Sequence, residues 1–396
     1  MTTPDMSLAF RGADTVLPPG RLEEILRSGR GLRVKLGLDP TAPMVTLGWA
    51  VVLRKLRHFQ ELGHTAVLIV GDFTARVGDP SGKSETRRRL TADEVRAFAE
   101  PLLDQFRQVL LPEPLEIRWN SEWLETLDMT EILELTSTVT VAQMLERSDF
   151  ANRYSEGNPI SILEFLYPLL QGYDSVAVRA DVELGGSDQL WNLMMGRIIQ
   201  TRYGQEPQVA LTMPLLTGTD GTNKMSQSLG NYIGVTEPAS EMFGKTMSIP
   251  DHLMGEWFRL AADRPADEVD GILAGIEDGS LHPGQVKRRL AKEIVSLYWG
   301  EEEAEAAEDE FDRRFKYREI PDDSPSFDLP AGDPVYLPGL LRSAKLVASA
   351  SEARRLIDAG AVRVDGTPVT GYEVGREKLL KKVLMVGKRR SIFLAK

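Results

Sequence analysis

Residues 33–42, with the sequence RVKLGLDPTA, are the strongest indication of the fold in the N-terminal part of this chain. Residues 33–37 have the apolar character of a buried strand, and the turn after them leads into residues 47–62, whose apolar side chains recur at helical spacing. Residues 65–70 (TAVLIV) are almost continuously apolar, as expected for a buried parallel strand. Strand, helix and strand in this order predict a doubly wound α/β sheet that binds ligands at the carboxyl ends of its strands.

The same alternation of helices and strands continues downstream. Thr91 and Glu94 have the spacing of a capping box, which predicts that a helix begins there. Further strands are predicted at 181–184 and 207–211, with a helix between them. We therefore expect residues 1–232 to form one domain around a parallel sheet.

After this sheet domain the pattern changes twice. Residues 233–316 contain helical patterns without strands, which predicts a helical domain. Residues 317–335 are rich in Pro, Asp and Ser and lack apolar periodicity, which predicts a linker. In residues 336–396 a helical pair precedes a strand and an Asp-Gly turn, which predicts a small α+β domain.

The composition predicts a soluble, cytoplasmic protein without a metal centre. The chain has 396 residues, 42% of them hydrophobic and 27% charged, and no apolar run reaches the length of a membrane span. It has no cysteine, which excludes disulfides, thiolate metal sites and cysteine nucleophiles. The N-terminus lacks the basic and apolar regions of a signal peptide. The four histidines are too scattered to predict a metal site: His58, His64, His252 and His282.

Charge is distributed unevenly along the chain. The net charge is −12, yet residues 336–396 carry thirteen Lys and Arg against five Asp and Glu, so that the rest of the chain carries −20. A basic segment on an acidic body predicts a polyanion-binding module, because Lys and Arg make most phosphate contacts. The alternative is a basic tail that only aids solubility, which the ordered pattern of this segment disfavours. The candidate phosphate-binding residues are Arg354, Arg355, Lys388, Arg389 and Arg390.

Six short motifs carry the chemistry. In chain order they are residues 37–43 (GLDPTAP), 71–74 (GDFT), 78–84 (GDPSGKS), 167–174 (YPLLQGYD), 183–189 (ELGGSDQ) and 224–226 (KMS). Each motif alone is weakly specific, but the six in this order resemble the bacterial tyrosine–tRNA ligases, a family of class I aminoacyl-tRNA synthetases. The resemblance covers residues 33–396, including the small RNA-binding fold that closes the chains of that family.

The resemblance implies a two-step reaction. Tyrosine and ATP give tyrosyl-adenylate and pyrophosphate, and the tyrosyl group then moves to tRNA(Tyr). ATP is thus a substrate, Mg²⁺ is expected to accompany it, and no tightly bound cofactor is expected. The resemblance also implies a Rossmann-like catalytic domain over residues 1–232, with an insertion at about 117–177 that forms a homodimer interface. Apolar candidates for this interface, which could equally belong to the core, are Met144, Leu145 and Phe150.

For the amino acid, the resemblance implies a pocket beside the helix that carries Tyr167, Gln171 and Asp174. These side chains fall at i, i+4 and i+7 and project from one helix face, and the proline after Tyr167 predicts that the helix starts there. By resemblance, Tyr167, Gln171 and Asp79 hold the ammonium group, Asp174 accepts from the phenol hydroxyl, and Gln189 lies near the carboxylate. The alternative is a solvent-exposed polar stripe, which the apolar neighbours of these residues disfavour.

For ATP, the resemblance implies two sets of residues. The set that lines the nucleotide, with Asp188 at the ribose, is Gly37, Asp39, Gly48, Asp188, Lys224, Met225 and Ser226. The set around the phosphates is Thr41, Thr46, Lys83, Arg87, Lys224 and Gln227. Two signatures of the family are altered, because Thr46-Leu47-Gly48-Trp49 replaces His-x-Gly-His and Gln227 replaces the second lysine of KMSKS.

Three functions fit these motifs. The leading hypothesis is a tyrosine–tRNA ligase with an altered phosphate clamp, because Lys224, Thr41 and the tyrosine pocket are retained. The second is a catalytically weakened or inactive relative that binds tyrosine or tRNA, which the altered signatures favour. The third is a relative that makes tyrosyl-adenylate for a metabolite, which the basic C-terminal segment disfavours because a small acceptor does not need it.

Overall fold

The computed structural model describes residues 6–79, 91–315, 326–387 and 390–395. The chain divides into two compact units, Met1–Ala304 and Glu305–Lys396, and each contains its own β-structure. The finer sequence-based division into four segments stays a prediction. Within the described ranges, no helix is long and apolar enough to cross a membrane.

A six-stranded sheet lies at the centre of the first unit. Its strands in chain order are β1 (Thr15–Leu17), β2 (Arg33–Leu38), β3 (Thr65–Val70), β4 (Leu115–Trp119), β5 (Val182–Gly186) and β6 (Val209–Met213). They are ordered β1-β6-β5-β2-β3-β4, and all neighbours are parallel except β1, which is antiparallel to β6. The strand order reverses between β2 and β5, which confirms the doubly wound prediction and creates a ligand crevice at their carboxyl ends.

Helices connect these strands and follow them. In chain order they are α1 (Ser7–Phe10), α2 (Arg21–Arg27), α3 (Leu47–Glu61), α4 (Thr74–Val77), α5 (Ala92–Val109), α6 (Ser121–Leu124), α7 (Met129–Thr136), α8 (Val141–Met144), α9 (Ser148–Ser155), α10 (Ile162–Val178), α11 (Leu190–Arg202), α12 (Ala239–Met247), α13 (Met254–Leu260), α14 (Ala266–Glu277), α15 (Pro283–Trp299) and α16 (Glu301–Phe315). Short 3₁₀ turns occur at Ser187–Gln189, Gln227–Leu229 and Asp251–Leu253.

Local signals set several of these boundaries. The predicted capping box is confirmed, because Thr91 Oγ1 accepts from the Glu94 N–H at 3.2 Å and Glu94 Oε2 accepts from the Thr91 N–H at 2.9 Å. Helix α3 starts after Thr46, whose hydroxyl oxygen accepts from the Trp49 N–H at 3.4 Å. The strand predicted at 65–70 is β3.

Helix α10 begins earlier than the sequence predicts. The prediction of a start near Tyr167 is wrong, because α10 starts at Ile162 and contains Pro168 in its interior. A capping box fixes the start: Ser161 Oγ accepts from the Leu163 N–H at 3.3 Å, and Glu164 Oε1 accepts from the Ser161 N–H at 2.9 Å. Proline cannot donate to the preceding turn, and the buried apolar residues around it stabilise the helix instead.

One face of the sheet packs against α10. Val67 and Ile69 of β3 share a buried cluster with Val178 at the end of that helix. Lys35, opposite Val67 in the β2–β3 pairing, hydrogen-bonds to α10 from the same face. The helix that carries Tyr167, Gln171 and Asp174 is therefore fixed against β2 and β3, and β2 ends at the crevice.

The second unit is a small α+β fold. Its strands are β7 (Ser326–Phe327), β8 (Val335–Tyr336), β9 (Val362–Val364), β10 (Thr367–Pro368), β11 (Glu373–Val374), β12 (Val383–Val386) and β13 (Arg390–Leu394). Its helices are α17 (Leu337–Ser343) and α18 (Ala350–Asp358), together with the larger part of α16, residues 305–315. The sheets are ordered β10-β9-β12-β13-β7 and β11-β8. Residues 326–335, predicted as linker, thus contribute two strands, and Leu329 and Val335 enter the core. The rest of the predicted linker, 317–325, lies outside the described residues.

Candidate active site

Asp39, directly after β2, is the centre of the site. Its Oδ1 accepts from Thr74 Oγ1 at 2.7 Å, and its Oδ2 accepts from the Tyr167 hydroxyl at 2.9 Å. A Cβ on Gly71 would lie 2.0 Å from Asp39 Oδ1, so glycine at this position allows the carboxylate to approach the backbone. Desolvation raises the pKa of Asp39 to about 7, although the two hydrogen bonds oppose that shift.

Asp174 is a buried carboxylate on the face of α10 that also carries Tyr167. Its Oδ1 accepts from the Trp123 indole N–H at 2.8 Å, and its Oδ2 faces Asn120 Nδ2 at 3.4 Å. Burial raises the pKa of Asp174 to about 7, and the positive charge of Lys35 partly offsets this effect. Because a carboxylate has about four acceptor positions, Asp174 can still accept from a ligand hydroxyl.

Asn120 links the two carboxylates. Its Nδ2 also donates to Thr74 Oγ1 at 2.9 Å, and Thr74 in turn donates to Asp39. Its Oδ1 accepts from the Phe73 N–H at 2.9 Å, which fixes the orientation of the amide. Asn120 and Trp123 were not singled out from the sequence. Their place after β4, at the carboxyl edge of the sheet, is the signal that points to them.

Tyr167 and Gln171 each donate a side-chain hydrogen bond to a carboxylate of the protein. The Tyr167 hydroxyl donates to Asp39, and burial together with nearby carboxylates raises its pKa well above the usual value, so that it stays protonated. Gln171 Nε2 donates to Glu183 Oε1 at 3.2 Å. The hydroxyl oxygen of Tyr167 and the amide oxygen of Gln171 therefore remain as acceptors for a cationic ligand group.

Asp79 and Gln189 meet at the other end of the pocket. Gln189 Nε2 donates to Asp79 Oδ2 at 3.0 Å, and Asn192 Nδ2 donates to Gln189 Oε1 at 2.8 Å. Arg147 donates to Asn192 Oδ1 at 3.2 Å and lies 3.9 Å from Asp79 Oδ1. This ring orients both predicted residues, and Arg147 and Asn192 belong to no motif recognised in the sequence.

The Lys224 loop contains three of the residues predicted to bind the nucleotide: Lys224, Met225 and Ser226. Lys224 Nζ lies 2.8 Å from Asp188 Oδ2, so the structure brings these two predicted residues together. The Gly48 N–H approaches Met225 Sδ at 3.3 Å, which places the loop against the start of α3. Buried Asn231 holds the loop from within, because its Oδ1 accepts from the Ser226 N–H at 2.8 Å.

The two altered signature positions have structural partners. Thr46 is buried at the N-cap of α3, where its side chain accepts from the Trp49 N–H. Gln227 is half-buried, and its Nε2 donates to the Met44 carbonyl at 2.7 Å. Threonine is a good N-cap residue, and glutamine supplies the amide donor, so both replacements suit the local backbone.

The remaining predicted residues are exposed, have no close packing that requires their residue type, or lie outside the described ranges. Thr41 and Gly37 are exposed, and a Cβ on Gly37 would meet no atom within 4 Å. A Cβ on Gly48 would lie 3.4 Å from Met225 Cβ, an ordinary contact. Packing in this structure therefore does not explain either glycine. Lys83 and Arg87 lie outside the described residues.

Comparisons with known proteins identify the family. Residues 27–316 match the family model described as tRNA synthetases class I (W and Y), and residues 337–379 match the S4 domain. The chain is 53% identical to the tyrosine–tRNA ligase of Moorella thermoacetica over 384 residues, 96% of this chain and 93% of that one. It is 48% identical to the tyrosine–tRNA ligase of Geobacter sulfurreducens, with 97% of each chain covered.

A solved structure shares the fold. The tyrosyl-tRNA synthetase of Archaeoglobus fulgidus, complexed with L-tyrosine, superposes with a TM-score of 0.61 at 23% identity, covering 76% of this chain and 98% of that chain. At this identity the likeness concerns the fold alone. The class I family model covers more than half of the chain, and the relatives extend over nearly all of it. The chain therefore belongs to the class I tRNA synthetases, in the family of the tyrosine–tRNA ligases, and carries a C-terminal S4 domain.

Proposed function

We propose that this chain activates L-tyrosine with ATP and transfers it to tRNA(Tyr). The observation that carries the proposal is the buried Asp174 carboxylate, held by Trp123 and Asn120 on the helix that also bears Tyr167 and Gln171. Such an acceptor suits a phenol hydroxyl, whereas phenylalanine would leave the remaining acceptor positions of this buried carboxylate unfilled. The relatives named tyrosine–tRNA ligase, at 48% and 53% identity, support the same substrate.

The ammonium group of tyrosine would bind at the opposite end of the pocket. Because Tyr167 donates to Asp39 and Gln171 donates to Glu183, both side chains would offer oxygen acceptors to the ammonium. Asp79 would supply the negative charge. Ammonium and phenol would thus be read by separate groups, and the spacing between those groups would select an amino acid of the length of tyrosine.

Adenylate formation needs positioning and charge stabilisation rather than a protein nucleophile. A tyrosine carboxylate oxygen attacks the α-phosphorus of ATP, the bond to the bridging oxygen breaks, and pyrophosphate leaves with the electron pair. Gln189 would orient the carboxylate and Asp188 the ribose, while Lys224 would stabilise the growing negative charge. The terminal ribose hydroxyl of tRNA then attacks the adenylate carbonyl, and AMP leaves.

The altered clamp would use neutral donors where the family has cations. Thr41, Thr46 and Gln227 would donate to the phosphates, and Lys83 and Arg87 would add positive charge. Mg²⁺ would enter with ATP and be held mainly by its phosphates. Among the described residues, no group of three or more His, Cys, Asp or Glu could hold a metal ion by itself. A cytoplasmic location stays a prediction.

The S4 domain would bind the tRNA phosphates. Arg342, Lys345 and Arg390 line one groove of this unit together with Glu352, which adds two cations to those predicted from the sequence. Arg354 and Arg355 are exposed on α18, and Arg354 donates to the Tyr336 hydroxyl at 2.7 Å. Lys388 and Arg389 lie outside the described residues.

The insertion at 117–177 would form a homodimer interface. The sequence candidates are poorly suited to this role, because Met144 and Phe150 are buried in the core and Leu145 is half-buried. Five large apolar side chains of the segment are instead exposed, a number that favours a covered surface: Met129, Leu133, Val141, Tyr154 and Ile162. We expect Leu133→Asp to shift sedimentation from dimer to monomer. The control Leu380→Asp, also at an exposed leucine, should not; a monomeric wild type would refute the interface.

One pair of assays tests the proposed activity. ATP–pyrophosphate exchange should depend on tyrosine but not on phenylalanine or tryptophan, and the same preparation should charge tRNA(Tyr). Exchange without charging would support the metabolite hypothesis, and tyrosine binding without exchange would support the inactive relative. The double variant Arg342→Ala/Lys345→Ala should lower charging and its salt dependence while exchange stays unchanged. Equal loss of both activities would refute the separate role of the S4 domain.

A further inference from the structure

A fully buried ion pair lies beneath the proposed tyrosine pocket. Lys35 of β2 is 0% exposed, and its Nζ lies 2.9 Å from Glu183 Oε1 on β5, which is 1% exposed. The same ammonium donates to Ser175 Oγ at 2.8 Å and to the Gln171 carbonyl at 2.9 Å. Three acceptors on two elements therefore fix the position of one buried cation.

Glu183 continues this network to the proposed ligand side. Its Oε1 also accepts from Gln171 Nε2, while its Oε2 accepts from Ser175 Oγ at 3.2 Å and from Gln208 Nε2. Glu183 thus sets the orientation of the Gln171 side-chain amide, and with it the position of the amide oxygen. Lys35 donates to the backbone carbonyl of Gln171, so the Lys35–Glu183 ion pair fixes both the backbone and the side chain of Gln171.

Stability alone is a poor explanation for such a pair. Removing two charges from water costs several kcal/mol per ion, and apolar residues of similar volume often stabilise a fold equally well or better. A charged pair under the pocket has, however, an electrostatic effect on its neighbours that apolar residues lack. The charged or titratable groups that face Asp174 are Lys35 and Glu183 from the sheet, Asp39 from the loop after β2, and Tyr167 from α10.

We propose that Lys35 and Glu183 are positioning residues of the tyrosine site, in which Glu183 orients the Gln171 amide and Lys35 keeps Asp174 negatively charged as the acceptor of the phenol hydroxyl. This inference rests on the proposed function of the pocket. Lys35 lowers the pKa of Asp174 and Glu183 raises it, so removal of the lysine charge should raise that pKa and removal of the glutamate charge should lower it.

The test is tyrosine affinity as a function of pH, measured by calorimetry without ATP so that no chemistry is needed. The wild type should lose affinity as the pH falls through the range in which Asp174 takes up a proton. Lys35→Met should move that midpoint upward and weaken binding at neutral pH by about tenfold for each pH unit that the midpoint rises. Glu183→Gln keeps an acceptor for Gln171 and should move the midpoint downward.

Two further variants separate positioning from folding. The double variant Lys35→Met/Glu183→Gln leaves no unpaired buried charge and should restore a midpoint close to that of the wild type. Lys287→Met removes another buried lysine, one paired with Asp251 on the helical side, and should leave the midpoint unchanged. If Lys35→Met fails to fold, the proposal is still tested by the downward shift of the midpoint in Glu183→Gln and by its return towards the wild-type value in the double variant.

The outcomes distinguish the inference from the function on which it rests. A wild type that does not bind tyrosine would overturn the pocket and the inference together. Tyrosine binding by the wild type, with an unchanged midpoint in both Lys35→Met and Glu183→Gln, would overturn the inference alone. An equal loss of affinity at every pH would assign the pair to packing and would also overturn it.

Discussion

The proposed tyrosine pocket and the Lys224 loop belong to one site but are built in different ways. In the pocket, Asp174 and Tyr167 are buried, and Asp174 has the donors Trp123 and Asn120. At the loop, the Lys224 ammonium and the Asp188 carboxylate pair at 2.8 Å with side chains 55% and 33% exposed. The pocket is held by partners inside the protein, whereas the loop groups are accessible to water.

This difference determines how a substitution should act in each region. A buried carboxylate that loses its donor carries the full desolvation cost, whereas a partner left at an exposed pair is solvated. The altered signatures lie at the loop and at the start of α3, where Gln227 bonds to Met44 and Thr46 caps the helix. The five residues predicted to bind tyrosine keep the residue types that the resemblance implies: Asp79, Tyr167, Gln171, Asp174 and Gln189. We therefore expect the pocket to govern tyrosine affinity and the loop to govern the rate of activation.

The largest expected effect is that of Lys224→Ala. Loss of a preorganised cation at the leaving pyrophosphate should slow adenylate formation by about 10²–10³-fold. Tyrosine affinity should stay unchanged, because Lys224 pairs with Asp188 rather than with a pocket residue. Pre-steady-state formation of adenylate measures both quantities. Lys382→Ala, at the exposed Lys382–Asp365 pair of the second unit, is the control and should have no effect.

Asp174→Ala should act on the other region. Loss of a hydrogen bond to a charged group costs about 1.5–3 kcal/mol, so tyrosine use should fall by roughly 10–150-fold. Phenylalanine use should fall far less, since phenylalanine has no hydroxyl to offer. The ratio of kcat/KM for the two amino acids in ATP–pyrophosphate exchange measures the effect. Asp174→Asn, which keeps the shape, tests whether the charge is required, and an unchanged ratio would assign phenol recognition to another group.

The pocket should also depend on pH in the neutral range. Burial raises the pKa of Asp174 to about 7, so this carboxyl is ionised above that pH and takes up a proton below it. Tyrosine affinity should therefore be highest above neutral pH and fall by about tenfold for each pH unit below the pKa. Asp39 has a raised pKa in the same window, so Asp174→Asn should reduce the steepness without removing it. A flat profile between about pH 8 and pH 5.5 would contradict this assignment.

The smallest expected effect is at Gln227. Lysine at this position would add a cation near the phosphates, but the present amide already donates to the Met44 carbonyl, so part of the gain is lost. We expect Gln227→Lys to raise the rate of adenylate formation by less than about tenfold. Gln227→Met has a similar length and no donor, and should lower that rate. A slower Gln227→Lys enzyme would show that the Met44 contact outweighs the added charge.

The sequence predicted much of the fold because its signals are local. The apolar run at 65–70 and the capping box at Thr91 need only neighbouring residues, and both are confirmed. The predicted start of α10 was wrong because it rested on Pro168 alone, whereas a capping box at Ser161 fixes an earlier start. Two strands in the predicted linker were missed, since strands of two residues carry too little periodicity to be recognised.

The sequence grouped several candidate site residues, but it did not predict their hydrogen-bond partners. Spacing on one helix groups Tyr167, Gln171 and Asp174, and the structure keeps them on α10. Trp123 lies 51 residues before Asp174 in the chain. Glu183 and Lys35 are also distant in sequence, and the pairing of β5 with β2 brings them side by side. Such contacts depend on the order of strands in the sheet, which local patterns do not encode.

The most direct test of the account is single-turnover formation of tyrosyl-adenylate, with tyrosine varied at saturating ATP, in the wild type, Lys224→Ala and Asp174→Asn. The titration separates the dissociation constant of tyrosine from the rate constant of activation. We predict that Lys224→Ala lowers the rate constant and leaves the dissociation constant unchanged, whereas Asp174→Asn mainly raises the dissociation constant. Parallel changes of both constants in the two variants, or no adenylate in the wild type, would contradict the division between pocket and loop.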